Sequence, residues 1–242
     1  MPLIYSAVQD WEIYHFDVNS AFLQGNLEEV VYLQQPEGFV QPGSENKVCH
    51  LKKAIYGLRQ GSSAWNKKLN KVLITLGFKR CEKDQCVCML ITSWGILIND
   101  VFVDDLLFFA ANIRLIMMIK SKLFKIFSMK DLGPVSKCFG INITRDRAKR
   151  TIYLDQSDYA QSILANFNMS DCQPKSTPME EGTNGSLLKT PGTDEEYPFR
   201  SLVGALIYFI KLRGLISASQ STFLADSTTA IRQNIGKQRR EF

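Results

Sequence analysis

The sequence predicts an α+β fold in which an antiparallel sheet is backed by helices, and three observations carry that prediction. Extended and helical patterns follow one another in the order strand, helix, hairpin, helix, hairpin. The paired β-rich runs are separated by short turns and so read as hairpins. The helical segments have one apolar face and charges elsewhere, as helices lying on a sheet require. With 45% hydrophobic and 11% aromatic residues among 242, the chain can build one sizeable core, or a domain with an appendage, and disorder throughout is excluded.

Each element has its own local signal. Residues 12–18 read as a strand that ends at Asp17 and opens into a polar turn at Asn19-Ser20. Residues 29–34 and 47–52 are extended, with loops between them at Pro36, Gly38, Pro42 and Gly43. A helix begins at Ser62 or Ser63 as N-cap, carries Trp65, Leu69, Val72, Leu73 and Leu76 at helical spacing, and stops at Gly77. Residues 86–92 and 95–103 flank Ser93-Trp94, and 106–111 resumes after Asp104-Asp105, a hairpin whose turn is expected to hold both carboxylates. Ile116, Ile119, Leu123 and Phe127 share a helix face, while Arg114, Lys120, Lys122 and Lys125 occupy others. Residues 138–145 and 151–155 form a second hairpin around the charged turn 146–150. Ser157 or Asp158 then caps a helix with Tyr159, Ile163, Leu164 and Phe167. Composition shifts at Ser170 toward Pro, Gly, Ser and Thr, which marks residues 170–199 as a linker between 1–169 and 200–242. Residues 200–213 read as a last apolar helix, and no internal repeat is visible.

Composition narrows the function without choosing it. The net charge of +5, from 29 Lys and Arg against 24 Asp and Glu, mildly favours polyanions. Six cysteines lack the spacing of a small secreted scaffold and no signal peptide opens the chain, so a reducing, intracellular setting, cytoplasm or nucleus, is expected. Cys81, Cys86 and Cys88 read better as free, structural thiols than as zinc ligands, since no second CxxC supplies the rest of a site. The longest apolar stretch, 101–119, contains Asp104, Asp105, Asn112 and Arg114 and is not expected to cross a bilayer.

Chemistry concentrates at Asp104-Asp105. Two adjacent carboxylates inside an apolar β-prone run repel each other and cost several kcal/mol of desolvation unless a cation or a turn relieves them. Asp17, at another strand end, is positioned by the element order to join them. Three carboxylates with no His or Cys partners suit hard, oxygen-seeking ions such as Mg²⁺, and two such ions about 3.5–4 Å apart would serve phosphoryl transfer.

In sequence order, Phe16-Asp17-Val18-Asn19-Ser20-Ala21-Phe22-Leu23, Tyr32-Leu33-Gln34-Gln35-Pro36-Glu37-Gly38-Phe39, Leu51-Lys52-Lys53-Ala54-Ile55-Tyr56-Gly57-Leu58-Arg59-Gln60 and Phe102-Val103-Asp104-Asp105 resemble the reverse transcriptase of copia-type retrotransposons. Met129-Lys130-Asp131-Leu132-Gly133, Phe139-Gly140-Ile141 and Tyr197-Pro198-Phe199-Arg200-Ser201-Leu202-Val203-Gly204 extend the likeness, which runs from about Leu3 to about Ile210. The resemblance implies a palm-like sheet and an RNA-directed DNA polymerase working by two-metal catalysis with Mg²⁺ or Mn²⁺. Asp17, Asp104 and Asp105 would be catalytic and hold metal, with the Val18 carbonyl as a further ligand. Phe22 would lie under the sugar of the incoming nucleotide, and Gln60 and Gly61 would contact nucleotide and template. Phe139 and Gly140 would grip the primer end. An RNA or DNA template with primer, deoxynucleoside triphosphates and other parts of the element's polyprotein would be its partners. Read from the residues alone, Phe22 is equally a core aromatic, Gln60 a surface amide and Lys130 a solvated charge.

The pattern also departs from that family. Met1 lies only 16 residues before Asp17, so a fingers region with its triphosphate-holding cations is expected to be largely missing, nucleotide binding weakened and the isolated chain inactive. Phe102 stands where a Tyr is usual, Gly61-Ser62 where Ala-Pro is usual, and Ser63 and Asn66 where Arg and Tyr flank the Trp. Asp100 adds a carboxylate to a normally apolar strand, either pointing inward against Asp104 or lying at an exposed edge. Residues 224–231 faintly resemble a distant RNase H segment, in which Asp226 alone could not hold two metals, and no RNase H activity is expected. These departures suggest a truncated copy that at most binds nucleic acid.

Overall fold

A computed structural model describes residues 2–174 and 198–217, with side chains of the last helix described through Lys211. The expectations for the linker segment 175–197 and for residues 218–242 lie outside the described residues. The architecture is mixed, with antiparallel sheets and six helices among the described residues. It divides into two compact units, 1–135 and 136–242.

The first unit runs α1 (Pro2–Gln9), β1 (Glu12–Val18), α2 (Ala21–Gln24), β2 (Tyr32–Gln34), β3 (Val48–His50), α3 (Gly61–Thr75), β4 (Lys79–Arg80), β5 (Val87–Thr92), β6 (Gly95–Phe102), β7 (Asp105–Ala110), α4 (Ile113–Leu123) and β8 (Met129–Pro134). Six strands form one sheet in the order β4-β5-β6-β7-β1-β8, with every pairing antiparallel. β1 lies between β7 and β8, so the strand carrying Asp17 is an interior one.

Period-two alternation sorts the side chains of this sheet. Phe16, Val18, Leu97, Leu106, Phe108 and Ala110 turn to one face and are buried there against Trp65, Leu69 and Leu73 of α3 and Ile116, Ile119 and Leu123 of α4. Burying each of these large apolar side chains stabilises the unit by about 1.5–3 kcal/mol. Phe127, expected on the α4 face, lies beyond the helix end yet is buried, stacked edge-on to Trp65 at 5.2 Å. The α4 N-cap is Asn112, whose side chain accepts from Arg114 N at 3.0 Å.

One residue on the core face breaks the pattern. Asn99 is fully buried opposite Phe108 and Cys88, and neither its amide oxygen nor its amide nitrogen has a hydrogen-bond partner among the described residues. An unsatisfied buried polar group costs about 1–3 kcal/mol. Asn99→Val is therefore expected to raise stability by about that amount, read as a higher urea midpoint at unchanged slope. A lower midpoint would show that the amide is satisfied in solution.

Several element boundaries lie one to three residues from where the sequence places them. The helix expected from Ser62 or Ser63 starts at Gly61, with Gln60 in the N-cap position and no side-chain cap, because the preceding turn, Gly61 N to Leu58 O at 3.1 Å, feeds straight into it. The 105–110 strand begins at Asp105 itself, so the hairpin turn is Val103-Asp104 and holds one carboxylate rather than two. Asn19-Ser20 is a turn, as expected, but it leads into α2, with Ser20 left-handed at φ 49°. The α5 helix below is preceded by Gln156 rather than capped by the Ser157 or Asp158 side chain.

The second unit contains β9 (Lys137–Cys138), β10 (Ile141–Asp146), β11 (Thr151–Asp155), α5 (Ser157–Asn166) and α6 (Phe199–Ser217). Its strands form a sheet in the order β11-β10-β9. Ala160, Ile163 and Phe209 centre a small core between α5 and α6. Phe139 and Gly140 form the β9–β10 turn, both at positive φ (54° and 74°), and the Tyr208 hydroxyl donates to Phe139 O at 3.1 Å. No helix among the described residues is long and apolar enough to cross a membrane.

Candidate active site

The β1–β7 register brings Asp17 opposite Asp105 and His15 opposite Leu107. β6 continues both rows, with Phe102 opposite Asp105 and Asp100 opposite Leu107. Asp17, Asp105 and His15 therefore share the sheet face that points away from α3 and α4. Asp104, in the turn, is tied to β1 through its backbone, because Val18 N donates to Asp104 O at 2.8 Å. Of the residues singled out from the sequence, Asp17, Val18, Asp104 and Asp105 are thus gathered at one end of two neighbouring strands.

That turn is under backbone strain. Val103 has φ 56°, a left-handed conformation that a β-branched residue adopts only when its surroundings impose it. Part of the constraint is visible, since the buried Trp65 donates its indole N–H to Val103 O at 2.6 Å.

Both hairpin carboxylates are hydrogen-bonded. His15, 6% exposed, places Nε2 at 2.5 Å from Asp105 Oδ1. The Tyr56 hydroxyl donates to Asp104 Oδ2 at 3.3 Å. Burial, and then the negative charge of Asp104, raise the Tyr56 hydroxyl above its usual pKa, so Tyr56 remains a proton donor at neutral pH. Tyr56 also stacks on Phe22, ring centroids 4.5 Å apart. Gly61 lies under the same ring: a Cβ there would meet Phe22 Cδ2 at 3.4 Å and Ile55 O at 3.0 Å. Gln60 instead lines a neighbouring cavity of about 370 Å³ with Arg59, Lys67, Glu28 and Glu29. Phe22 and Gly61 thus pack together near Asp104, and Gln60 faces a polar, mixed-charge recess. Phe139 and Gly140 belong to the second unit.

The donor set of carboxylates and a main-chain carbonyl is the oxygen chemistry that Mg²⁺ or Mn²⁺ prefers. Among the described residues, however, no group of three or more His, Cys, Asp or Glu side chains is drawn together closely enough to hold an ion. The chemistry of the residues fits a hard cation, while the carboxylates as they stand are turned to protein partners.

Asp100 follows neither expectation for it. It lies on the Asp17 face, and the carboxylate it feels is Asp84, not Asp104. Burial first, then the Asp84 charge, raise its pKa. A carboxyl whose folded pKa exceeds its unfolded value binds more protons when folded, so stability falls as pH rises through the interval between the two. Asp100→Asn is expected to stabilise the chain at pH 7, with the gain vanishing below the ordinary carboxylate range. A gain independent of pH, measured in parallel denaturation curves at pH 3.5 and 7, would assign the effect to something other than this charge.

His15, Tyr56, Trp65 and Val103 had no role assigned from sequence. For His15 a signal existed, because residues two apart on a strand share a face and His15 is two before Asp17. For the other three, only the folded chain makes the connection.

The profile of the family described as reverse transcriptase (RNA-dependent DNA polymerase) matches residues 2–181. The chain is 36% identical over 210 residues to the retrovirus-related Pol polyprotein from transposon TNT 1-94 of Nicotiana tabacum, covering 84% of this chain and 16% of that polyprotein. It is 34% identical over 209 residues to the Pol polyprotein from transposon RE1 of Arabidopsis thaliana, covering 86% of this chain and 14% of the relative. A putative transposon Ty5-1 protein of Saccharomyces cerevisiae is 32% identical over 192 residues, covering 79% and 62%. This chain thus spans about a sixth of the length of the plant polyproteins it matches. Profile and relatives together cover most of the sequence, and the chain belongs to the reverse transcriptase (RNA-dependent DNA polymerase) family of copia-type transposons.

Proposed function

We propose that the first unit is the palm of an RNA-directed DNA polymerase, which extends a primer on an RNA or DNA template with deoxynucleoside triphosphates. The observation that carries this reading is the cross-strand pair Asp17–Asp105 with Asp104 in the adjoining turn. Asp17, Asp104 and Asp105, with the Val18 carbonyl, are the groups that would hold two Mg²⁺ or Mn²⁺ ions. Such ions, when bound, supply the charge that makes a primer hydroxyl nucleophilic and offsets charge on the departing pyrophosphate.

The chain's own residues do the positioning. Phe22, stacked on Tyr56 and backed by Gly61, forms a flat apolar floor suited to the sugar of an incoming nucleotide. Gln60 offers an amide at the neighbouring recess for nucleotide or template. In the second unit, the tight Phe139-Gly140 turn is the proposed primer grip. Other segments of a Pol polyprotein are the natural partners of a chain that spans so small a part of such relatives.

The test is primer extension on an RNA template with Mg²⁺ or Mn²⁺, comparing wild type with Asp104→Asn. Extension by wild type that Asp104→Asn abolishes is the outcome this reading requires. Equal signal from both, or none from either, would remove polymerase activity from this chain.

A second reading rests on the carboxylates being engaged by His15 and Tyr56 and on no three-ligand group being assembled among the described residues. On that reading the chain binds nucleic acid without catalysis. Its affinity for single strands should then fall with salt at a log–log slope near −0.7 per phosphate contact. Affinity independent of salt, or no binding, would dispose of it.

A further inference from the structure

His15 is one of only two histidines, and it is the buried one, whereas His50 is exposed. A buried imidazole needs a hydrogen-bond partner, and the partner here is Asp105 at 2.5 Å. The fold leaves little alternative on that face. Opposite His15 stand Leu107 on β7, which is apolar, and Gly133 on β8, which has no side chain. Gly133 sits where the β1–β8 register shifts, and its φ of 75° is a conformation that a side chain would strain. A carboxylate can only accept, so the tautomer that completes this contact is the one with the proton on His15 Nε2.

We propose that His15 is a positioning residue for Asp105. Its imidazole takes Oδ1, fixes the plane of the carboxylate and leaves Oδ2, unengaged among the described residues, as the oxygen offered to a divalent cation. A carboxylate on a free Asp side chain samples several rotamers, and a cation that binds it must first restrict them. A second hydrogen bond made beforehand lowers that entropic cost, which is why ligating carboxylates are themselves commonly hydrogen-bonded. This inference rests on the metal-holding role proposed above for Asp105.

The full chain is titrated with Mn²⁺, free ion followed by electron paramagnetic resonance, in four forms: wild type, His15→Leu, His15→Gln and Asp105→Asn. Loss of a group that orients a ligand costs about 10–100-fold in metal affinity. His15→Leu, which removes the donor at similar volume, is expected to weaken Mn²⁺ by that factor. His15→Gln, which keeps an N–H donor, is expected to recover most of it. If His15→Leu binds as tightly as wild type while Asp105→Asn does not, His15 has no positioning role and the carboxylate site stands. If wild type fails to bind Mn²⁺, or Asp105→Asn binds equally well, the metal site itself fails and the His15 inference goes with it.

A measurement on the unaltered chain guards against variants that do not fold. With only two histidines, the side-chain ¹⁵N signals are readily assigned, and Mg²⁺ is expected to shift His15 Nε2 in step with binding. An unmoved His15 signal at saturating Mg²⁺ would overturn the proposal.

Discussion

On the palm reading, Asp17→Asn, Asp104→Asn and Asp105→Asn are each expected to lower Mg²⁺-dependent primer extension by about a thousandfold or more. A metal that stabilises charge in the transition state contributes several kcal/mol, and each 1.4 kcal/mol is tenfold in rate. Because the three carboxylates would act as one unit, the double variant Asp17→Asn/Asp105→Asn should be little worse than either single one. The Asn side chain keeps the size of Asp and some hydrogen bonding, so folding should survive, and circular dichroism verifies that. Tyr56→Phe is the internal contrast. Its bond to Asp104 is long, at 3.3 Å, and Tyr56 is half exposed, so its loss should cost about 1 kcal/mol or less, within about fivefold in rate. Single-turnover extension measures all of these. Wild-type rates in Asp17→Asn would separate that residue from the chemistry and undo the palm reading.

Trp65→Ala is expected to destabilise the first unit by about 3–5 kcal/mol, the range for truncating a large buried aromatic. The ring is 2% exposed and packs edge-on against Phe127. More informative is Trp65→Phe, which keeps much of the apolar packing but removes the indole N–H from Val103 O. The cost should be about 1–3 kcal/mol, because the turn carbonyl loses its donor. Val103→Gly acts on the same turn from the other side. It relieves a left-handed conformation that costs an L-residue about 1–2 kcal/mol, offset in part by the greater freedom of Gly in the unfolded chain. A double-mutant cycle between the two positions should show coupling, since the strained turn and its clamp are in direct contact. An unfolding midpoint unchanged in Trp65→Phe would mean that the indole bond holds nothing in place.

The parts of the fold that read clearly from sequence are those whose burial imposes a period. β5, β6 and β7 alternate or are apolar throughout because they sit inside the sheet, and α3 and α4 carry apolar stripes because one face of each lies on it. β8 gave no such signal. It is an edge strand of mostly exposed residues that includes Lys130, Asp131, Gly133 and Pro134, and a strand paired on one side needs neither alternation nor an N–H at every residue. The short helices α1 and α2 are brief segments whose formation depends on what they pack against rather than on their own propensity. The N-cap position of α3 lies two to three residues before the serines at 62 and 63 that mimic a cap, because the entry is set by the turn before Gly61 and the space under Phe22.

The order of motifs along the chain was enough to establish the family and to single out Asp17, Asp104 and Asp105, because residue types at fixed spacing survive in the sequence itself. Which side chains meet is a different matter. Strand side chains alternate between faces, so a one-residue slip between β1 and β7 would carry Asp105 to the opposite face from Asp17. The register that prevents this comes from packing Phe16, Leu106 and Phe108 against α3 and α4, and it also hands Asp105 to His15 and the turn carbonyl to Trp65. These long-range pairings depend on free energies summed over the whole core, and no local stretch of sequence contains them.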